Sequence, residues 1–138
     1  MYVPFPELIP SSDVVSVEDR PHQIGELAEK FGITLRTIRF YEERGLLTPR
    51  RISARTRLYD LDDVARLSLI VALRRYGVAV DAIADLLAAR DSKGPGAFLP
   101  MLAAALSDRL AAMTSEITEA QRLRDGLETW LADLSTTP

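Results

Sequence analysis

The chain has 138 residues, 47% of them hydrophobic and 27% charged, with a net charge of -3 at pH 7; this is enough apolar material for one small core, with or without an appended oligomerisation element. It contains no cysteine, which excludes disulfides, thiolate metal sites, iron–sulfur clusters and cysteine nucleophiles. No uninterrupted apolar run approaches the ~20 residues that span a bilayer, and the N-terminus lacks the basic flank and apolar block of a signal peptide, so no membrane partner is expected and the cytoplasm is the expected compartment.

Residues 1–21 hold four prolines and two adjacent serines without a helical period, and read as a flexible N-terminal arm. The period then changes. Ile24, Leu27, Ala28 and Phe31 fall at i, i+3, i+4 and i+7, the stripe of a short amphipathic helix that Gly32 ends. Thr34 is a suitable N-cap for a second helix, and Gly45 a suitable residue just past its end. Two short helices joined by a tight glycine-containing turn make a helix-turn-helix candidate.

Leu46 to Tyr59 contains Pro49, a basic cluster and the alternating tail Thr56-Arg57-Leu58-Tyr59, which predicts a short hairpin or wing whose turn has no glycine to mark it. Asp60 and Asp63 have the spacing of an N-cap and its third helical residue, opening a helix to about Tyr76. Its centre, Leu69 to Leu73, is apolar on every side, so it should lie between other elements. A fourth helix runs from Val80 to about Arg90, and the breaker-rich residues 91–97 are expected to be a linker. The winged helix-turn-helix unit so defined covers residues 22–90.

Residues 98–134 predict one long helix, with residues 135–138 as a disordered tail. Leu99, Leu106, Met113, Ala120, Leu127 and Leu134 recur every seventh position, with Ala103, Leu110, Ile117 and Leu131 in the complementary series. That is a heptad seam. Leu99, Leu106, Leu110, Met113, Ile117, Ala120 and Leu127 are therefore the expected homodimer contacts. Arg124 interrupts the seam while Leu123 and Trp130 lie just beside it, so the stripe drifts near its end. Met101, Met113 and Trp130 are expected to be core side chains more than the lining of a ligand pocket.

Charge is segregated. Between Thr34 and Arg57 there are seven arginines against Glu42 and Glu43, a local +5 that leaves the remainder at -8. Arg36, Arg39 and Glu43 share one face of the second helix, with Leu35 and Ile38 toward the opposite side. Cations on the outer face of a second helix suit major-groove entry. An arginine fork can hold a phosphate or take guanine O6 and N7. Arg36, Arg39 and Tyr41 are the leading double-stranded DNA contacts, with Thr37 a smaller polar one. Arg50, Arg51, Arg55 and Arg57 extend the footprint along the backbone, adding affinity more than sequence choice. Tyr41 has a competing expectation, since an aromatic near a helix end often packs inward. Phe40 is expected to pack.

Catalysis finds no support in these residues. His22 is the only histidine, the adjacent pairs Glu42-Glu43 and Asp62-Asp63 cannot form a dyad on a helix, and no phosphate-cradling glycine loop is present. No cofactor is implied.

The stretch IGELAEKFGITLRTIRFYEERGLLTP resembles the helix-turn-helix of the MerR family of transcription regulators, and RLYDLDDVARLSLIVALRRYGVAVDAIADLL is similar to that family's wing end and following helix pair. The resemblance implies a mainly all-α fold: a winged helix-turn-helix with a small β-wing, then a long dimerisation helix in an antiparallel coiled coil. It implies a homodimer on a near-palindromic promoter operator, which it distorts so that RNA polymerase engages indirectly, through the DNA. Carried over by position, phosphate contacts fall on Arg36, Arg39, Tyr41 and Arg57, with Tyr59 packing beneath the last. The sequence departs from the family in the wing, where Arg55-Thr56 stands in place of Gly-Tyr, and in lacking the cysteines of the metal sensors. Any small ligand is expected to sit between the long helix, the fourth helix and the partner. The competing expectation is a dimeric protein-interaction adaptor on the same scaffold that does not bind DNA specifically.

Overall fold

The computed structural model describes all 138 residues. Its elements are α1 (Ile24–Phe31), α2 (Leu35–Glu43), β1 (Arg50–Arg51), β2 (Arg57–Leu58), α3 (Leu61–Arg75), α4 (Val80–Lys93) and α5 (Pro95–Thr136). The fold is thus the mainly helical winged helix-turn-helix with a long C-terminal helix.

Local chemistry sets the helix ends. Gln23 and Glu26 close a reciprocal capping box on α1, and Gly32 terminates it at φ 65°, a left-handed conformation that glycine adopts without penalty. Thr34 caps α2, its Oγ1 accepting from the Thr37 amide at 3.1 Å. Asp60 does the same for α3, accepting from the Asp63 amide at 2.9 Å. The buried Asp63 carboxylate in turn accepts from the Thr48 amide at 2.9 Å, fixing the start of the wing to α3.

Helix α3 is the central element, buried from Asp63 to Ile70 and again at Ala72 and Leu73, as its all-round apolar centre requires. Ile38, Leu47, Tyr59, Ile83, Leu87 and Phe98 pack in the same core. The buried Arg66 ties three elements together: its Nε donates to the Leu46 carbonyl at 2.7 Å and its guanidinium pairs with Asp91 at 2.7 Å. Truncation would leave that buried carbonyl unsatisfied, so Arg66→Ala is expected to cost about 2–4 kcal/mol. A lowered urea midpoint with an unchanged slope, at fixed protein concentration, is the check.

Four expectations need correction. The supposed flexible arm is ordered on the domain: Tyr2 bridges Val17, Val17 and Ile9 are buried, and Asp13 accepts from Arg75 at 2.6 Å and Tyr76 at 2.7 Å. Its prolines fix a folded path because Ile9, Val17 and Pro4 bury apolar surface, which a period-based reading does not register. The linker shrinks to Gly94, because Asp91 is held by Arg66 and Ser92 bonds back to the Ala88 carbonyl at 2.8 Å, carrying α4 to Lys93. Helix α5 begins at Pro95, a favoured first-turn residue, and runs through Pro100, whose missing N–H removes one bond near the start. The first half of the expected tail is helical, α5 continuing to Thr136.

Glu26 carries a pH dependence. Arg20 holds its carboxyl down at about 2, helped by the Gln23 amide. A carboxyl depressed on folding lends stability that is present above its ordinary value of 4.5 and is lost as pH falls toward 2. Stability measured from pH 5 down to 2 is expected to fall less steeply in Glu26→Gln than in the parent.

Beyond Met113 every residue of α5 is exposed in the single chain, including Ile117, Leu127, Trp130 and Leu134. Its most apolar window reaches a mean hydropathy of 1.2, enough by length and composition alone to match a membrane span. The root, however, packs Phe98 and Leu102 into the core, and the exposed remainder carries the ion pairs Arg109–Glu116 and Arg122–Glu119. A one-sided stripe with charged flanks suits another helix better than lipid.

Candidate nucleic-acid interface

Helix α2 divides cleanly into two faces. Ile38 is fully buried and Tyr41 nearly so, while Arg36, Arg39 and Glu43 are exposed on the outer face. Leu35, expected on the buried side, is 40% exposed at the first turn, and Phe40 is 41% exposed. The Phe40 ring lies against the Arg44 guanidinium, 5.9 Å away, and Arg44 is bridged to Asp81. This pins the end of α2 to the start of α4.

The wing turn closes without glycine because Ser53 takes its place. Its hydroxyl accepts from the amides of Arg55 (3.3 Å) and Thr56 (3.1 Å), and the Ile52 amide donates to the Thr56 carbonyl at 3.0 Å. In the two-stranded sheet Arg50 opposes Leu58 and Arg51 opposes Arg57. Side chains alternate between the two faces of a strand, so Arg51 and Arg57 lie together on the side facing α2 and Arg50 lies on the other.

Between α2 and the wing is an open groove lined by Arg39, Glu42, Arg51, Arg55 and Arg57. Two arginines directly opposite across a strand pair repel. Glu42 relieves this: Arg57 donates to it at 2.8 Å and the Tyr59 hydroxyl at 3.1 Å. Burial, reinforced by the Glu42 charge, pushes the Tyr59 phenol up to about 12. It therefore stays protonated and donating.

The predicted contacts separate into groups. Arg36 and Arg39 stand on the outer face of α2, and Arg39, Arg51 and Arg55 converge on the groove. Arg36, Arg39, Arg50, Arg51 and Arg55 make no ion pair, whereas nine other arginines do and Arg74 donates to the Val78 carbonyl. Arg57 is committed to Glu42 and positions the wing. Thr37 is half-buried, its hydroxyl bonded to the capping Thr34 at 2.9 Å. Tyr41 is 5% exposed and its phenol is pushed up by burial, with the exposed Arg74 nearby, so its ring packs in this fold, in line with the competing expectation. Sequence reasoning missed Glu42, because its partners are 15 and 17 residues away.

Of the expected dimer contacts, Leu99, Leu106, Leu110, Ile117, Ala120 and Leu127 are exposed along α5 and Met113 is half-buried. No group of three or more His, Cys, Asp or Glu side chains is placed to hold a metal ion.

This arrangement has known counterparts. The family model described as MerR HTH family regulatory protein matches residues 23–90, and a second, described as MerR, DNA binding, matches residues 64–130. A transcription regulator from Ralstonia metallidurans, crystallised in complex with lead(II), is 33% identical, with a TM-score of 0.64 over 77% of this chain and 81% of that one. The crystal structure of a MerR family regulator lacking the sensor domain, bound to promoter DNA, is 27% identical, with a TM-score of 0.58 over 81% of this chain and 84% of that one. A nodulation protein from a Bradyrhizobium species is 32% identical over 115 residues, 83% of this chain and 45% of that protein. The chain spans about half the length of the curated relatives it matches.

Proposed function

The chain belongs to the MerR family of helix-turn-helix regulatory proteins, and from that premise we propose that it is a dimeric, sequence-specific DNA-binding transcription regulator. The observation that carries the reading is the set of unpaired arginines. An acidic protein that ion-pairs most of its guanidinium groups leaves Arg36, Arg39, Arg50, Arg51 and Arg55 free on one helix and its adjoining wing. Leaving cations unpaired stabilises nothing in the isolated chain; it suits a polyanion that displaces counterions from its own surface. Helix α2 would enter the major groove, with Arg36 and Arg39 at bases or phosphates, while the wing arginines hold the flanking backbone.

A second copy docks through the exposed stripe of α5, which supports two recognition helices on a near-palindromic site. Distortion of that site, with RNA polymerase engaged through the DNA, is the mode of action the family relationship favours. Action on DNA places the protein in the cytoplasm of a bacterium. Titration against the DNA upstream of its own gene and a scrambled duplex, at several salt concentrations, tests the reading. A specific complex of one dimer per site with a steep negative salt slope is expected; equal weak binding to both duplexes would favour the adaptor.

A further inference from the structure

Four large apolar side chains stand exposed between residue 22 and the start of α5: Leu35, Phe40, Ile52 and Tyr76. Tyr76 is held by Asp13 through its hydroxyl. The other three lie on α2 and the wing, among the unpaired arginines. Phe40 has protein partners of its own, the Tyr41 ring at 5.8 Å and the Arg44 guanidinium at 5.9 Å. Ile52 sits at the wing turn, where backbone bonds to Thr56 hold the hairpin.

Leu35 is the first residue of α2, directly after the capping Thr34. It is 40% exposed and belongs neither to the buried core nor to the half-buried side chains packed against that core. A single exposed leucine is ordinary on a protein surface, so its place decides the matter. Residues four apart on a helix are neighbours, with Cβ atoms about 5–6 Å apart, which sets Leu35 beside Arg39 at the edge of the face that also carries Arg36. When such a helix enters the major groove, its first residues meet the base edges. The one apolar group presented there is the C5 methyl of thymine. Against a phosphate or a polar base edge an isobutyl group strips water from an atom it cannot pair.

Resting on the DNA-binding reading above, we infer that Leu35 is a specificity-determining residue that reads a thymine methyl in each half-site. Base pairs are about 3.4 Å apart along the helix axis, so that thymine lies within about two base pairs of the group that Arg39 holds. The arginines place the helix and supply affinity, and Leu35 chooses the base beside them.

Selection from a pool of random-sequence duplexes, run with the full chain and with Leu35→Ala, tests this. The parent is expected to enrich a dyad-related consensus with one invariant A·T pair per half-site, always in the same orientation, and Leu35→Ala to lose that preference while keeping the others. Within the selected site, replacing that thymine by deoxyuracil removes the methyl and nothing else. Parent affinity is expected to fall about four-fold for one half-site and about fifteen-fold for both, the worth of one and of two buried methyl groups. Leu35→Ala lacks the contact already and should respond by less than about two-fold. Because Leu35 makes no core contact and alanine is the better helix former, the variant should keep the parent's unfolding midpoint; the uracil measurement on the parent stands even if it does not. Affinity indifferent to uracil at every thymine of the consensus, or a uracil loss equally large in Leu35→Ala, would overturn the thymine contact and leave the regulator standing. A pool that yields no consensus would overturn both.

Discussion

Replacing Arg36 and Arg39 together by alanine is expected to weaken operator binding about a thousand-fold. Each of two protomers loses two charge-assisted contacts, and at about 1 kcal/mol or more per contact the sum is about 4 kcal/mol. That corresponds to roughly three decades in Kd. The salt dependence should flatten as well, by about 0.9 in the log–log slope for each phosphate contact removed. The variant should fold normally, because both side chains are exposed and neither makes an ion pair or caps a helix. Fluorescence anisotropy on a labelled duplex, with the unfolding midpoint measured in parallel, separates a lost contact from a lost fold. Arg57→Ala behaves differently on this account: it removes the cation that ties the wing to Glu42 of α2, so wing stability and DNA affinity should fall together.

Ile117→Asp is the second large effect. Ile117 is 58% exposed in the single chain and lies in the middle of the α5 stripe. An aspartate there costs the monomer little, yet in the dimer it buries two unpaired carboxylates, one from each copy. Such desolvation costs several kcal/mol per ion, so the dimer Kd is expected to rise by at least about four decades. A solitary helix without tertiary packing is marginal in water, and the distal half of α5 should lose helicity as the dimer dissociates. Trp130, the sole tryptophan, reports this directly: its emission should shift to the red on dilution of the parent protein and be red-shifted at all concentrations in Ile117→Asp. DNA affinity should drop in step, since one helix-turn-helix holds only half a site.

Much of this fold was legible because its signals are local. Thr34, Gly32, Gly45 and Asp60 mark helix ends by chemistry acting within a few residues, and the heptad of α5 needs only its own spacing. The wing was harder to read, since its turn depends on a serine hydroxyl and not on glycine. What escaped the sequence acts over distance. Glu42 looked like half of a surface acidic pair until the fold brought Arg57 and Tyr59 to it. Asp91 looked like the start of a linker until Arg66 was found holding it. The N-terminal arm illustrates the same limit: Pro4, Ile9 and Val17 follow no helical or strand period, so their burial depends on surfaces that distant elements offer. Tyr41 was a choice between two sides of one short helix. The packing of α2 against the core directs its ring inward, while Arg36 and Arg39 stay on the exposed face.

The account turns on whether two copies of the α2 and wing face grip one DNA site. Hydroxyl-radical footprinting of the parent protein and of Arg36→Ala/Arg39→Ala on the upstream duplex addresses this most directly. The prediction is two protected backbone segments related by a dyad, both absent in the variant at the same protein concentration. Protection that survives in the variant, or a single unpaired segment in the parent, would contradict it.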